Sequence, residues 1–198
     1  MEKRLFIAIK YEPDEEFKHS YLAIQKNVGS LATIKWVPTH QLHLTLCFLG
    51  NTHVSLLETI GNAIDEVCAQ NHSFEVQIGN LGIFSHQRQP RVLWMGLQPV
   101  KVLQHLHLQL AERLVQDFKS LKNSNKTPLV EVNPNFVPHL TLGRFKNTYK
   151  IADLQAYLAS HAHTQFGNWN VSQVILYESI LSRLGPTYQP LRMANLSN

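Results

Sequence analysis

The stretch His43-Leu44-Thr45-Leu46 occurs a second time as His139-Leu140-Thr141-Leu142, 96 positions further along a chain of 198 residues. Each copy lies in an apolar run of strand-like composition, residues 42–49 and residues 136–142. Successive side chains of a strand point to opposite faces, so each histidine shares a face with the threonine two residues on, and the leucines share the other. Two such strands facing each other would place two imidazoles and two hydroxyls around one cleft.

A repeated tetrapeptide in a leucine-rich chain can also arise without a function. A single His-x-Thr on a strand is usually a solvent-exposed pair without a role, or a hydrogen-bonded part of the core. The pairing, the half-chain spacing and the matching strand context favour a functional site. A neutral imidazole accepts a proton and a protonated one donates it, and the ordinary pKa near 6.5 lets both forms coexist near neutrality. The sequence therefore predicts His43 and His139 as an acid–base pair at a phosphate, with Thr45 and Thr141 as hydroxyl donors to its oxygens and no metal required.

Two further residues lie close to the motifs, and strand alternation places both on the leucine face. Arg144 supplies a permanent positive charge for phosphate oxygens only if the strand ends or is strained before it. Phe48 is predicted equally well as a core residue and as an aromatic that stacks on a base or sugar.

The cysteines indicate neither a disulfide framework nor a metal site, because there are only two and they have no Cys-x-x-Cys spacing. Alternation places Cys47 on the face of His43 and Thr45. Gly143 stands at the matching place of the second copy, so we interpret Cys47 as a space-filling residue rather than a nucleophile.

Composition indicates an ordinary globular chain, with 44% hydrophobic and 16% charged residues. No apolar stretch is long enough to cross a bilayer, and the N-terminus lacks the apolar region of a secretory signal, so we expect a cytoplasmic protein without a membrane partner. A net charge of +4 and a pI of about 9.1 suit an anionic partner. Of the 11 histidines, His105 and His107 are predicted to be solvated on a helix, and His161 and His163 have no neighbours that would complete a metal site.

Periodicity predicts an α+β fold in the order strand, helix, strands, helix, strands, helix, strand, helix, strands. The predicted helices begin near Pro13 and Ser55 and span residues 102–118 and 151–161; Ser55 to Glu58 has the pattern of a capping box. Residues 120–135 are predicted to be a mobile loop. We expect two similar lobes, each an antiparallel sheet with outer helices, related by a pseudo-two-fold with the site in the cleft between them, all within one domain of residues 1–198. A cleft formed within one chain favours a monomer.

The paired His-x-Thr motifs resemble those of the two-histidine (2H) phosphoesterase superfamily, and more narrowly the RNA 2',3'-cyclic phosphodiesterases, also called 2'-5' RNA ligases (the LigT-like and ThpR-like proteins). The resemblance extends along most of the chain. It is carried by residues 4–9, 42–46, 48–50, 82–84, 91–94, 138–144, 177–181 and 185–188.

The resemblance implies an enzyme that needs no cofactor and opens the 2',3'-cyclic phosphate at an RNA end to a 2'-phosphomonoester, with 2'-5' ligation as the reverse direction. By this likeness His43 is the proton donor and His139 the proton acceptor, although the residues alone do not distinguish this order from its reverse. Phe48 and Arg144 match positions beside the site. The alternatives are a phosphodiesterase for ADP-ribose cyclic phosphate or 2'-5' oligonucleotides, and a non-catalytic RNA-binding module.

Overall fold

The computed structural model describes residues 1–121, 128–183 and 185–198. Residues 122–127 of the predicted loop lie outside the described residues. Within these ranges the chain forms nine strands and four α-helices in the predicted order. They are β1 (Glu2–Lys10), α1 (Glu15–Gly29), β2 (Ala32–Trp36), β3 (His43–His53), α2 (Leu57–Ala69), β4 (Phe74–His86), β5 (Gln89–Gln98), α3 (Val100–Ser120), β6 (His139–Thr148), α4 (Ile151–Ser160), β7 (Gln165–Val171), β8 (Gln173–Ser182) and β9 (Gly185–Asn195).

The strands form two antiparallel sheets, which confirms the predicted α+β class. Sheet 1 has the order β3-β1-β8-β9, and sheet 2 has the order β2-β6-β5-β4-β7. Helices α2 and α3 pack on sheet 1, and α1 and α4 pack on sheet 2, with α3 also touching β5. Sheet 1 thus combines strands from both ends of the chain, and the two motif strands β3 and β6 lie in different sheets.

Local sequence explains the first helix well. The Asp14 carboxylate caps α1 by accepting a hydrogen bond of 2.8 Å from the Phe17 N–H, and Glu15 and Glu16 lie at the positive end of the helix. The apolar residues at helical spacing on α1 are buried: Phe17, Tyr21, Ile24 and Val28. They join a contiguous core that takes side chains from both sheets and all four helices. The sheets therefore share one interior.

Several local predictions were wrong. The Ser55 capping box does not form, because Leu56 caps α2 and the Ser55 N–H instead bonds Nδ1 of His53. The sequence also predicts a polar connection over residues 85–90 and turns at residues 50–51 and 185–186. Residues 85–90 are instead mostly strand, because β4 and β5 form a hairpin that turns at Gln87 and Arg88, both with positive φ. Strand β3 continues through residues 50–51, residues 185–186 begin β9, and β7 was not predicted.

Candidate active site

Each motif strand contains a bulge at the same place in the repeat. In β3, Thr45 lies opposite Ala8 and Cys47 opposite Ile7, so Leu46 has no partner residue. In β6, Thr141 lies opposite Trp94 and Gly143 opposite Leu93, which leaves out Leu142 in the same way. An extra residue in one strand reverses the alternation beyond it.

The bulges correct the three predictions that assumed uninterrupted alternation. Cys47 is buried on the core side, at 4% exposure, and does not share the face of His43. Phe48 is 70% exposed, which excludes the core alternative, and it follows Thr45 on the histidine face. Arg144 is likewise exposed on the face of His139, so no strand end is needed to bring it there.

The residue after each bulge faces the core, where the two strands have different neighbours. A Cβ at Gly143 would overlap Cγ2 of Ile34 on β2 and approach the Lys35 carbonyl oxygen to 3.1 Å, so only glycine fits there. Burial raises the pKa of the Cys47 thiol to about 12, which keeps it a thiol at neutral pH. Both observations support the interpretation of Cys47 as a space-filling residue.

Buried polar side chains from two helices bind the bulge carbonyls. The Leu142 oxygen accepts from the Val37 N–H at 2.9 Å, and the Tyr21 hydroxyl of α1 shares its proton between the Leu142 oxygen at 2.8 Å and the Val37 oxygen at 2.7 Å. The Leu46 oxygen accepts from Nδ1 of His107 of α3 at 2.8 Å, and Nε2 of His107 accepts from the Asn133 N–H at 3.2 Å. Since Asn133 leads into β6, His107 connects the two motif strands.

The prediction that His107 is solvated was therefore wrong. Its side chain is 3% exposed and stacks on Phe136 with 4.4 Å between ring centroids. The carbonyl at Nδ1 can only accept and the N–H at Nε2 can only donate. This imidazole therefore carries its single proton on Nδ1.

The two motif imidazoles are held in the same way. Nδ1 of His43 donates to the Gln41 carbonyl at 2.7 Å, and Nδ1 of His139 donates to the Val137 carbonyl at 2.7 Å. A carbonyl only accepts, so the Nδ1 nitrogens carry the protons and Nε2 is the exchangeable position of each ring. Neither Nε2 has a hydrogen-bond partner in the part of the chain that the structure describes.

Aromatic rings enclose each imidazole on its own sheet. His43 lies 5.2 Å from both Phe6 and Tyr188, measured between ring centroids. His139 lies 4.8 Å from Phe84 and 6.3 Å from Trp94. These aromatic neighbours shield one side of each imidazole, and both rings stay half-buried.

The two motif strands β3 and β6 contact each other, although they belong to different sheets. Burial lowers the pKa of His43, the hydrogen bond to the Gln41 carbonyl opposes this, and the charge of His139 lowers the pKa further. Burial also lowers the pKa of His139, together with the charge of Arg144. Arg144 acts on Tyr188 of sheet 1 as well, where it and Arg4 oppose the rise in pKa caused by burial.

The remaining predicted residues lie beside these groups. Thr45 and Thr141 are half-buried on the histidine faces, and neither hydroxyl has a hydrogen-bond partner among the described residues. Residues 1–121, 128–183 and 185–198 contain no group of three or more histidine, cysteine or acidic side chains that could hold a metal. They also contain no helix long and apolar enough to cross a membrane.

Sequence reasoning assigned no role to Tyr188 or Trp94, although both lie in stretches that carry the family resemblance. Trp94 faces Thr141 in the ladder, and its indole occupies the space where a side chain at Gly82 would lie. Its Nε1 is buried without a partner in the described ranges. The sequence signal for the aromatic residues around His139 is Gly-x-Phe at residues 82–84 followed by Arg-x-x-Trp at residues 91–94.

Comparison with known proteins agrees with this geometry. The 2'-5' RNA ligase superfamily matches residues 14–181. The chain belongs to that superfamily. An RNA 2',3'-cyclic phosphodiesterase of Aquifex aeolicus is 33% identical over 83% of this chain and 83% of its own length, and one of Methanothermobacter thermautotrophicus is 29% identical over 99% and 100%.

Solved structures share the fold over nearly the whole chain. TT0787 of Thermus thermophilus matches with a TM-score of 0.76 and 26% identity, covering 98% of this chain and 97% of its own. E. coli LigT matches with a TM-score of 0.69 and 24% identity, covering 100% of both chains. This member of the superfamily therefore has the LigT-like arrangement of two antiparallel sheets and four helices.

Proposed function

We propose that this superfamily member hydrolyses the 2',3'-cyclic phosphate at RNA ends to a 2'-phosphomonoester. The observation that supports this most directly is the pair of imidazoles, both protonated on Nδ1 and both with an unpartnered Nε2, on two motif strands that contact each other. The curated relatives named above are RNA 2',3'-cyclic phosphodiesterases. The site is taken to lie in a cleft between sheet 1 and sheet 2, which a pseudo-two-fold would relate.

In this mechanism Nε2 of neutral His139 takes a proton from water as the water oxygen attacks phosphorus. The bond from phosphorus to the 3' oxygen breaks, and Nε2–H of protonated His43 gives that oxygen its proton. The product carries a 2'-phosphate and a free 3'-hydroxyl. If a 5'-hydroxyl of RNA replaces water, the same proton transfers make a 2'-5' linkage.

The family resemblance implies His43 as the acid and His139 as the base, and the position of Arg144 supports this order. Burial lowers the pKa of both rings, and the fixed positive charge of Arg144 further disfavours the imidazolium form of His139. The neighbouring charge that acts on His43 is that of His139, which is absent while His139 is neutral. In this mechanism Thr45, Thr141 and Arg144 donate to the phosphate oxygens.

The deciding experiment is incubation with an RNA oligonucleotide that ends in a 2',3'-cyclic phosphate, followed by identification of the phosphomonoester. We expect a 2'-phosphate, an unchanged rate in EDTA, and loss of most turnover in His43→Ala and in His139→Ala. His19→Ala, which changes an exposed histidine of α1, is the matched control. Salt-dependent RNA binding without conversion would instead identify a binding module, and full turnover in either motif variant would end the two-histidine mechanism.

A further inference from the structure

Beside His139, on the same face of sheet 2, lies a polar pocket of about 140 Å³ that the proposed mechanism does not use. Gly79 and Gly96 lie in its floor, opposite one another in the ladder between β4 and β5. Gly96 is also the ladder partner of His139 on β6. Neighbouring strands in a sheet are about 5 Å apart, so the pocket begins within a nucleoside's reach of the imidazole.

The pocket exists because both floor residues lack a side chain. A Cβ at Gly79 would lie 2.8 Å from the Thr164 carbonyl oxygen, and a Cβ at Gly96 would lie 3.4 Å from Cζ3 of Trp94. A bulge at Asn80, whose φ is 54°, lets its N–H bond the Thr164 carbonyl at 2.9 Å. This bond holds residues 163–165 as one wall.

The lining offers four side-chain amides, the hydroxyl of Thr164 and the imidazole of His163, and no carboxylate, ammonium or guanidinium among the described residues. The side-chain oxygen Oε1 of Gln98 accepts from the Val100 N–H at 3.2 Å, which leaves the side-chain NH2 of Gln98 as a donor. Nε2 of Gln165 donates to Asn168 at 3.1 Å, which leaves its carbonyl as an acceptor. The amide of Gln77 has no partner in the described part of the chain.

We propose that this amide pocket, formed around Gln77, Asn80, Gln98 and Gln165, binds the base of the nucleotide that carries the cyclic phosphate. Side-chain amides present a donor and an acceptor side by side, which matches the edge of a nucleobase. A phosphate or carboxylate is bound most strongly by arginine or lysine side chains, and this lining contains neither. The assignment rests on the proposed function, because it needs the phosphate to lie at His139.

The test compares a nucleoside 2',3'-cyclic phosphate with the cyclic phosphate of a methyl riboside, which has the same reacting group and no base. Gln77→Leu and Gln98→Leu keep an apolar side chain that reaches to Cδ and remove the amide. Each variant is expected to raise the KM of the nucleotide by roughly 2- to 12-fold, the effect of one neutral hydrogen bond, with kcat unchanged. The base-free substrate should show no change in KM. Gln155→Leu, on an exposed position of α4, is the matched control.

Failure of the pocket and failure of the proposed function give different results. If the unmodified protein turns over both substrates with the same kcat/KM, or if the variants raise KM equally for both, the base does not bind here. If the unmodified protein turns over neither substrate, the proposed function is wrong and the pocket assignment falls with it. A KM increase confined to the nucleotide supports the pocket.

Discussion

The two motif strands β3 and β6 share their histidine, threonine, bulge and Nδ1 hydrogen bond, and they differ in the two residues after the bulge. β3 continues with Cys47 and Phe48, whereas β6 continues with Gly143 and Arg144. The shared part gives both imidazoles the same tautomer and an unpartnered Nε2, the atom that transfers the proton in the proposed mechanism. The different part makes them unequal, because Arg144 adds a fixed charge beside only one of them.

The largest expected effect separates the roles of the two histidines. On a cyclic phosphate, His43→Ala and His139→Ala should each lower kcat by about 10² to 10⁴. A p-nitrophenyl phosphodiester of a nucleoside has a leaving group that needs no proton, so His43→Ala should lose far less activity on it, while His139→Ala should lose as much as before. Steady-state kinetics on both substrates measures this. The opposite pattern would reverse the assignment of acid and base.

Removal of the fixed charge is the next test of the asymmetry. Arg144→Gln should lower kcat/KM by about 10- to 150-fold, since a hydrogen bond between charged groups is lost. It should also raise the pKa of His139. A base works only when neutral, so the acid limb of the pH profile of kcat/KM should move to higher pH.

The control for this prediction is Arg144→Lys, which keeps the charge and should keep the position of the acid limb even where it lowers the rate. Because burial lowers the pKa of both His43 and His139, both limbs of the unmodified protein should lie below the ordinary imidazole range, and they belong to the pair jointly. An acid limb that stays in place in Arg144→Gln would contradict the role given to this charge.

A smaller effect is expected at Phe48, which occupies in β3 the place of Arg144 in β6. Phe48→Leu should raise the KM of an RNA oligonucleotide about fivefold without changing kcat, because stacking on an exposed ring is lost. Phe48→Tyr keeps the ring and should behave like the unmodified protein. Equal KM values for all three proteins would leave Phe48 with no part in binding.

The smallest effect on activity is expected where helices support the bulges. His107→Phe removes the donor to the Leu46 carbonyl and the acceptor of the Asn133 N–H, so it should lower the free energy of unfolding by about 2 kcal/mol or more. Tyr21→Phe leaves the Leu142 carbonyl its bond from Val37 and should cost about 1 kcal/mol. Urea unfolding monitored by circular dichroism measures both, and equal losses would show that the two supports are equivalent.

The sequence predicted the residues of the candidate site that occur in both motif copies. It missed the residues whose face depends on the bulge in each strand. The histidines, threonines and order of elements follow from composition and spacing. Strict alternation placed Phe48, Arg144 and Cys47 on the wrong faces, because no particular residue type marks a bulge in a sequence. The signal was available in β3, where the apolar positions change from even numbers to odd numbers after Leu46.

Two other misses have similar causes. His107 lies between Leu103 and Leu110 on the apolar stripe of α3. We predicted it to be solvated because histidine is polar, although the helical period marks this position as buried. In β7, an extra residue next to Gly167 interrupts the alternation, so the run did not look like a strand. Tertiary contacts that pair distant segments, such as His107 with Asn133, leave no trace in local periodicity.

The extra residue in each motif strand also sets how the chain tolerates changes in length. Deleting Leu46 or Leu142 would remove the residue that has no ladder partner, so the strand would alternate strictly and Phe48 or Arg144 would keep its place on the histidine face. Inserting one more residue there would instead reverse the alternation and turn the aromatic or the guanidinium toward the interior. A one-residue insertion between the threonine and the third residue after it should therefore lower activity more than deletion of the bulge residue.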